Sequence, residues 1–393
     1  MRTPALPKSP AMRFVVLVGV VSLFADMTYE GSRSITGPYL AILGASATVV
    51  GVVAGGGELL GYALRLVSGR VADAFGRYWP MTILGYLIQM VAVPALALAG
   101  SWQVAAVLIV LERIGKAIRN PPRDAMLASA SREIGRGFAF GLHEALDQIG
   151  ALVGPLVVAA VIALRGEYQL AFAVLVVPAL LTLATVGIAR VTYPDPSHLA
   201  PAVAPTSSGR RGLSRRFWLY LVATALLGAG FADFSLMAFR FGTDTVVSAD
   251  LIPIFYAVAM GTSGAASFAF GRVFDRRGLV ILVPITLVTA FFAPLVFLGS
   301  AVAAFVGVIL WAVGMGVHES IMSAAVAGMV PQVRVASAYG VFNLGYGVAW
   351  FLGSAAMGVL YGVSLLAVVA LSMALQLAAI PLLLRVARDR RST

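Results

Sequence analysis

Residues 69–77 read Gly69-Arg-Val-Ala-Asp73-Ala-Phe-Gly76-Arg77, and residues 271–278 read Gly271-Arg-Val-Phe-Asp275-Arg-Arg277-Gly278. Each glycine-bounded, charged stretch follows a long apolar run, 47–68 in the first case and 250–270 in the second. Other pairs recur in the same order. Phe24-Ala25-Asp26 matches Phe231-Ala232-Asp233, Ala139-Phe140-Gly141 matches Ala338-Tyr339-Gly340, and Gly154 matches Gly353. Matches that keep one order along a chain mark an internal duplication. In parallel half-repeats of membrane helices, a transport pathway lies where the halves meet.

The composition agrees with helices in lipid. Of 393 residues, 60% are hydrophobic and 11% charged, with a mean hydropathy of +0.94. A soluble domain carries roughly 25% charged residues, so this chain lacks the polar cover a water-soluble core needs. A membrane span takes about 20 mainly apolar residues. Hydropathy and breakers place spans near 13–32, 47–68, 79–99, 101–119, 137–163 and 168–190, then near 217–240, 250–270, 279–299, 301–327, 336–361 and 363–385. Each must be helical, because lipid offers no partner to free backbone groups. The predicted fold is an all-α membrane protein of twelve transmembrane helices in two pseudo-symmetric six-helix bundles, 1–190 and 217–393. Residues 191–216 are rich in Pro, Ser, Thr and Ala and end in arginines, the composition of a flexible cytoplasmic linker.

Basic residues set the direction. With a cytoplasmic N-terminus, the inner segments hold Arg70, Arg77, Arg119, Arg123, Arg132, Arg136, Arg272, Arg276 and Arg334, and the linker and C-terminal arginines. The outer segments hold only Arg33, Arg165 and Arg240. This is the positive-inside pattern, with both termini cytoplasmic. The net charge of +11 therefore reports topology and attraction to anionic lipid rather than nucleic-acid binding. Arg2, Lys8 and Arg13 before the run from Phe14 resemble a signal peptide. However, the run lacks a small-x-small cleavage site and has a partner at Phe231, so a retained first helix is expected. Cysteine is absent, which excludes disulfides and thiolate metal sites. No G-x-S-x-G or H-E-x-x-H spacing points to an enzyme, and no cofactor is expected.

The acids inside the spans carry the functional signal: Asp26, Glu30, Glu58, Glu112, Glu144, Asp147, Asp233 and Glu319. A charge at mid-bilayer costs roughly 2.5–3.5 kcal/mol on insertion scales, so such residues face a wet cavity, pair with bases or carry protons. Asp26 and Glu30 share a helix face, as do His143 and Asp147. Glu58 lies in a run with no other charge between Val49 and Leu64, and Arg65 follows two turns on. His318 precedes Glu319 in span ten. Tyr29, Phe234, Phe239, Trp311, Phe342, Tyr346 and Trp350 are candidate cavity aromatics, and Asn343 adds a polar group beside Tyr346.

These motifs resemble the major facilitator superfamily. Gly69, Asp73, Gly76 and Arg77 stand as in its signature loop between helices 2 and 3, and Asp275 repeats it. Arg113-Ile-Gly115 is similar to its membrane-embedded arginine motif, and Gly150-Ala-Leu-Val-Gly154-Pro155 to the glycine-proline motif of its antiporters. The stretch from Gly115 to Asp124, with Phe140-Gly141-Leu-His143, resembles a bacterial permease subgroup that includes multidrug and nickel-resistance exporters. The resemblance implies a secondary transporter in a bacterial inner membrane. It places Asp26, Arg113, Asp233 and Glu319 on cavity-lining helices. It also implies a gating loop of Gly69, Asp73, Gly76 and Arg77, with Arg77 pairing Asp124.

A carboxyl that alternates between burial and an arginine's company can take up and release a proton. Asp26, Glu30 and Glu58 are thus the expected proton or cation carriers, with Arg113 their charge partner. His143, Asp147, Asp233, His318, Glu319, Asn343 and Tyr346 are expected at the substrate cavity. The leading reading is a monomeric proton-coupled exporter of a small molecule. The alternatives are a divalent-cation exporter using Asp26, Glu30, Glu58, His143 or His318 as ligands, a proton-coupled importer, and a lipid flippase on the same scaffold.

Overall fold

The computed structural model describes residues 9–75, 78–134, 136–194, 213–322, 325–326, 329–330 and 335–388. Among these residues all regular structure is helical. In chain order the helices are α1 (Pro10–Ile42), α2 (Ala47–Phe75), α3 (Tyr78–Ala95), α4 (Trp102–Ile134), α5 (Arg136–Arg165), α6 (Tyr168–Val174), α7 (Val176–Thr192) and α8 (Arg215–Gly230). They continue as α9 (Phe234–Thr243), α10 (Leu251–Arg277), α11 (Leu282–Thr289), α12 (Phe292–Leu298), α13 (Ala301–Val317), α14 (Val335–Tyr361) and α15 (Leu365–Arg388). A π-helical turn, His318–Met322, extends α13.

Ten helical stretches of the described residues are long and apolar enough to cross a membrane, and α13 is a shorter apolar helix. Three of the ten unite consecutive helices: Tyr168–Thr192, Arg215–Thr243 and Gly278–Leu298. The expected span near 101–119 lies inside α4, whose apolar start gives way to Glu112, Arg113, Lys116 and Arg119. Over the described residues the predicted spans fall on helices, with a break between α8 and α9 inside the span expected near 217–240 and with residues 323, 324 and 327 of the span near 301–327 outside the described residues. The largest differences are extensions, of α1 to Ile42 and of α4 to Ile134. These extensions correct two assignments. Arg33 and Arg119, read above as charges outside the spans, are largely buried within helices.

The contacts divide the chain into two compact units, Met1–Ser32 with Leu64–Pro205, and Arg33–Ala63 with Thr206–Thr393. In the first unit α1 meets α5 through glycine. A Cβ on Gly150 or Gly154 would strike the α1 backbone at Leu23 and Met27, so these glycines permit the close approach that holds membrane helices together. Pro155 follows inside α5. On α2, Gly69 faces Pro121 of α4. A second seam joins α3 and α4, where Gly85 and Gly115 meet backbone to backbone.

In the second unit Gly353, the counterpart of Gly154, packs on the backbone of Ala229 in α8. Gly51 and Gly55 of α2 pack on α14 at Ser354 and Phe351, and Gly347 of α14 meets Tyr62. The duplicated Phe-Ala-Asp triplets end in different local structures. In α1 the helix runs through Asp26, whereas α8 stops at Gly230 and α9 starts at Phe234. Asp233 caps α9 by accepting a hydrogen bond from the Ser235 backbone N–H at 2.9 Å. The Trp311 Nε1–H donates to the freed Ala232 carbonyl at 2.9 Å. Broken helices survive in lipid when neighbours satisfy the released groups in this way.

Candidate functional site

Each unit holds its own buried polar cluster. In the first, Asp26 faces Arg119 across 3.7 Å. Arg119 is fully buried. Its Nε–H donates to Gln89 Oε1 at 2.6 Å, one terminal N–H donates to the Tyr86 hydroxyl at 3.0 Å, and the guanidinium lies 4.5 Å from the Tyr86 ring centre. Gln89 in turn donates to Glu112 at 2.8 Å. A polar chain therefore runs Asp26–Arg119–Gln89–Glu112 through α1, α4 and α3. Hydrogen bonds join Arg119, Gln89 and Glu112, while the Arg119 terminal nitrogen that faces Asp26 makes an ion pair at 3.7 Å without a hydrogen bond.

Arg113 stands apart from Asp26. It pairs with Glu112 at 3.4 Å and donates to the Tyr29 hydroxyl. Lys116 sits 3.7 Å from the centre of the Tyr29 ring, a cation–π contact. The expected Asp26–Arg113 partnership is therefore replaced by Asp26–Arg119. Arg119 lies nearly two turns further along α4, at a level where α1 presents Asp26. Glu30 is buried one turn beyond Asp26 and shares its electrostatic neighbourhood with Lys116. Glu112 accepts from Gln89 and pairs with Arg113.

Around His143 a second group forms in the same unit. His143 Nδ1 lies 3.4 Å from Asp147, and Nε2 lies 3.1 Å from the Ser22 hydroxyl. Arg123 also donates to Ser22 at 3.1 Å and holds Asp124 at 2.8 Å. Arg77, the expected partner of Asp124, lies outside the described residues, as do Gly76 and the side chains of Asp73, Asp275 and Glu319.

In the second unit Arg33 joins two acids. It pairs with Asp233 at 3.1 Å and with Glu58 at 3.4 Å. Asp233 is the more deeply buried, at 1% side-chain exposure against 18% for Glu58. Beside this triad runs a line of rings. Tyr220, Phe342, Tyr346, Trp350, Phe231 and His318 follow one another with centroid separations of 5.9, 6.1, 5.8, 6.2 and 4.8 Å. Trp350 Nε1 and His318 Nδ1 are buried without a hydrogen-bond partner among the described residues. Asn343 is half-buried on α14.

The structure thus gathers Asp26, Glu30, Arg113, His143 and Asp147 in one unit, and Glu58, Asp233, His318 and Tyr346 in the other. Among the described residues no three His, Asp or Glu side chains converge at metal distance, so the candidate metal ligands Asp26, Glu30, Glu58, His143 and His318 form no such site there. Sequence reasoning missed Arg33, Gln89, Tyr86 and Ser22. For Arg33 the usable signal lay in helix length: no proline follows Glu30 until Pro38, so α1 was free to continue through Arg33.

A family model described as Major Facilitator Superfamily matches residues 18–354. An uncharacterized protein of Mycobacterium tuberculosis strain H37Rv is 40% identical over 389 residues, covering 98% of this chain and 95% of that protein. The multidrug resistance protein MdtH of Proteus mirabilis is 30% identical over 115 residues, covering 29% of this chain and 28% of that protein. Among solved structures, a peptide transporter POT in complex with sulfate superposes with a TM-score of 0.75 at 13% identity, over 97% of this chain and 94% of that one. At that identity the likeness speaks for the fold.

Proposed function

Because this chain belongs to the Major Facilitator Superfamily, and is therefore a multi-pass membrane secondary transporter of small-molecule substrates rather than an enzyme, we propose that it is a proton-coupled antiporter that exports its substrate by alternating access. The observation that carries this reading is the Arg33–Glu58–Asp233 triad, in which one guanidinium serves two carboxylates inside apolar helices. A proton on Glu58 releases its hold on Arg33 and leaves the shorter Arg33–Asp233 pair in place. Glu58 is therefore the carboxyl suited to load and unload. Asp26 with Arg119, and Glu30 one turn on, form the matching charge site of the first unit. Arg113 acts on this site through Tyr29 and Glu112.

Export, rather than import, is supported by the partial likeness to a multidrug resistance protein and by the glycine-proline stretch of α5. The aromatic line from Tyr220 to His318 suits an amphiphilic organic substrate. The divalent-cation alternative lacks a converging ligand set among the described residues. In this proposal the protein is a monomer in a bacterial inner membrane with both termini cytoplasmic. Bundles 1–190 and 217–393 flank the linker, and the loop at Gly69, Asp73, Gly76 and Arg77 works the inner gate with Asp124.

Proteoliposomes test it with a panel of lipophilic drugs and divalent metals. Glu58→Gln is expected to abolish accumulation driven by a pH gradient while retaining substrate counterflow. Undiminished uphill flux in that variant removes Glu58, and the triad with it, from the mechanism.

A further inference from the structure

We propose that His143 is a proton-binding site of the first unit whose charge state is read by Arg123 through the shared hydroxyl of Ser22. The proposal takes the ion-coupled reading above as its premise and adds a group that reading does not use.

With the imidazole neutral, the hydrogen bonds take one consistent arrangement. Arg123 can only donate, so Ser22 accepts from it at 3.1 Å. Ser22 has one hydrogen of its own and gives it to His143 Nε2 at 3.1 Å. The ring hydrogen then resides on Nδ1, directed at the Asp147 carboxylate 3.4 Å away. Every donor in this chain has an acceptor, and the neutral imidazole links α1, α4 and α5.

A proton taken from water onto Nε2 changes one contact. No other bond breaks, and the imidazolium keeps its Nδ1–H directed at Asp147. Nε2 now donates, and Ser22 turns its own hydrogen aside. A hydroxyl has two lone pairs and can accept twice, but both donors are now cations on one oxygen in an interior that screens poorly. Arg123 has an alternative, since Asp124 already holds it at 3.0 and 2.8 Å. Protonation of His143 therefore loosens the Ser22–Arg123 tie between α1 and α4.

The charged surroundings of the ring are defined. From α1 it faces Ser22, with Asp26 one turn on. From α4 come Arg123, with Asp124 behind it, and Arg119 towards Asp147. Its own helix supplies Asp147. The short α6, also packed on α5, carries no charged side chain.

The natural absence of cysteine permits a clean test. A cysteine at Ser129 on α4, carrying an environment-sensitive fluorophore, is followed in phosphatidylcholine vesicles without substrate as the pH steps from 8 to 5. The expected result is a fluorescence change that His143→Gln abolishes and Ser22→Ala also abolishes, while His143→Arg holds the low-pH signal at pH 8. Glu58→Gln should leave the response intact, which separates this proposal from the one above. A full response in His143→Gln or in Ser22→Ala overturns it. A variant that fails to fold is recognised by its gel-filtration profile, and the other one then decides.

Discussion

Removing Arg33 is the sharpest test of the second cluster. Arg33→Met keeps much of the side-chain volume and deletes the guanidinium, leaving Glu58 and Asp233 facing each other. At an effective dielectric constant of about 20, unit charges 3.1 and 3.4 Å apart attract by roughly 5 kcal/mol per pair before desolvation is subtracted. Desolvation takes back most of this. Removing one partner of a buried pair nevertheless costs about 3–5 kcal/mol, because the other charge is stranded. Asp233, 1% exposed, meets that condition in full. Glu58 at 18% and Arg33 at 12% retain some solvent, and the Ser235 N–H still holds Asp233. The expected loss is therefore at the lower end, about 3 kcal/mol. The assay is reversible unfolding in mixed detergent micelles followed by tryptophan fluorescence. The triple variant Arg33→Met, Glu58→Gln, Asp233→Asn should recover most of the loss, since uncharged partners strand nothing. The reasoning is refuted if Arg33→Met unfolds like the parent, or if the triple variant is no more stable than the single one.

Four further outcomes follow from the packing and the polar chain. Gly154→Leu should destabilise by about 1–3 kcal/mol, because a Cβ there meets the Met27 backbone and the Gly31 nitrogen. Gly141→Ala, with open space around it, should be neutral in the same melts. Trp311→Phe removes the donor to the Ala232 carbonyl and should cost about 1–3 kcal/mol, the penalty for a buried acceptor left unmade, read as a lower unfolding midpoint. Asp26→Asn should abolish pH-gradient-driven flux while the protein elutes as a folded species, since Arg119 keeps Gln89 and Tyr86; retained flux would exclude Asp26 from coupling.

The helices were legible because burial in lipid leaves the backbone one solution, so a long apolar run is both the signal and the structure. The glycines of α5 were legible for a similar reason, as small residues at helical spacing serve close approach. Partners were not legible. Arg33 and Asp233 are 200 residues apart in the chain, and nothing local in either stretch names the other. Burial was not legible either. Positive-inside counting placed Arg119 and Arg33 at the ends of spans, whereas the helices continue past both and bury them among their neighbours. The choice of Arg119 over Arg113 for Asp26 depends on how α1 and α4 are placed against each other, which no local stretch of sequence states.

By itself, the sequence determined that this is a duplicated, all-helical membrane protein with acids where lipid should be, since periodicity, composition and internal repetition are properties of the chain alone. The tertiary structure decided which cation neutralises which acid. It also decided that one Phe-Ala-Asp triplet is helical and the other a helix cap, and that His143, Ser22 and Arg123 share a hydroxyl. Charge pairing depends on separations of a few ångströms between distant segments, and only packed helices fix those separations.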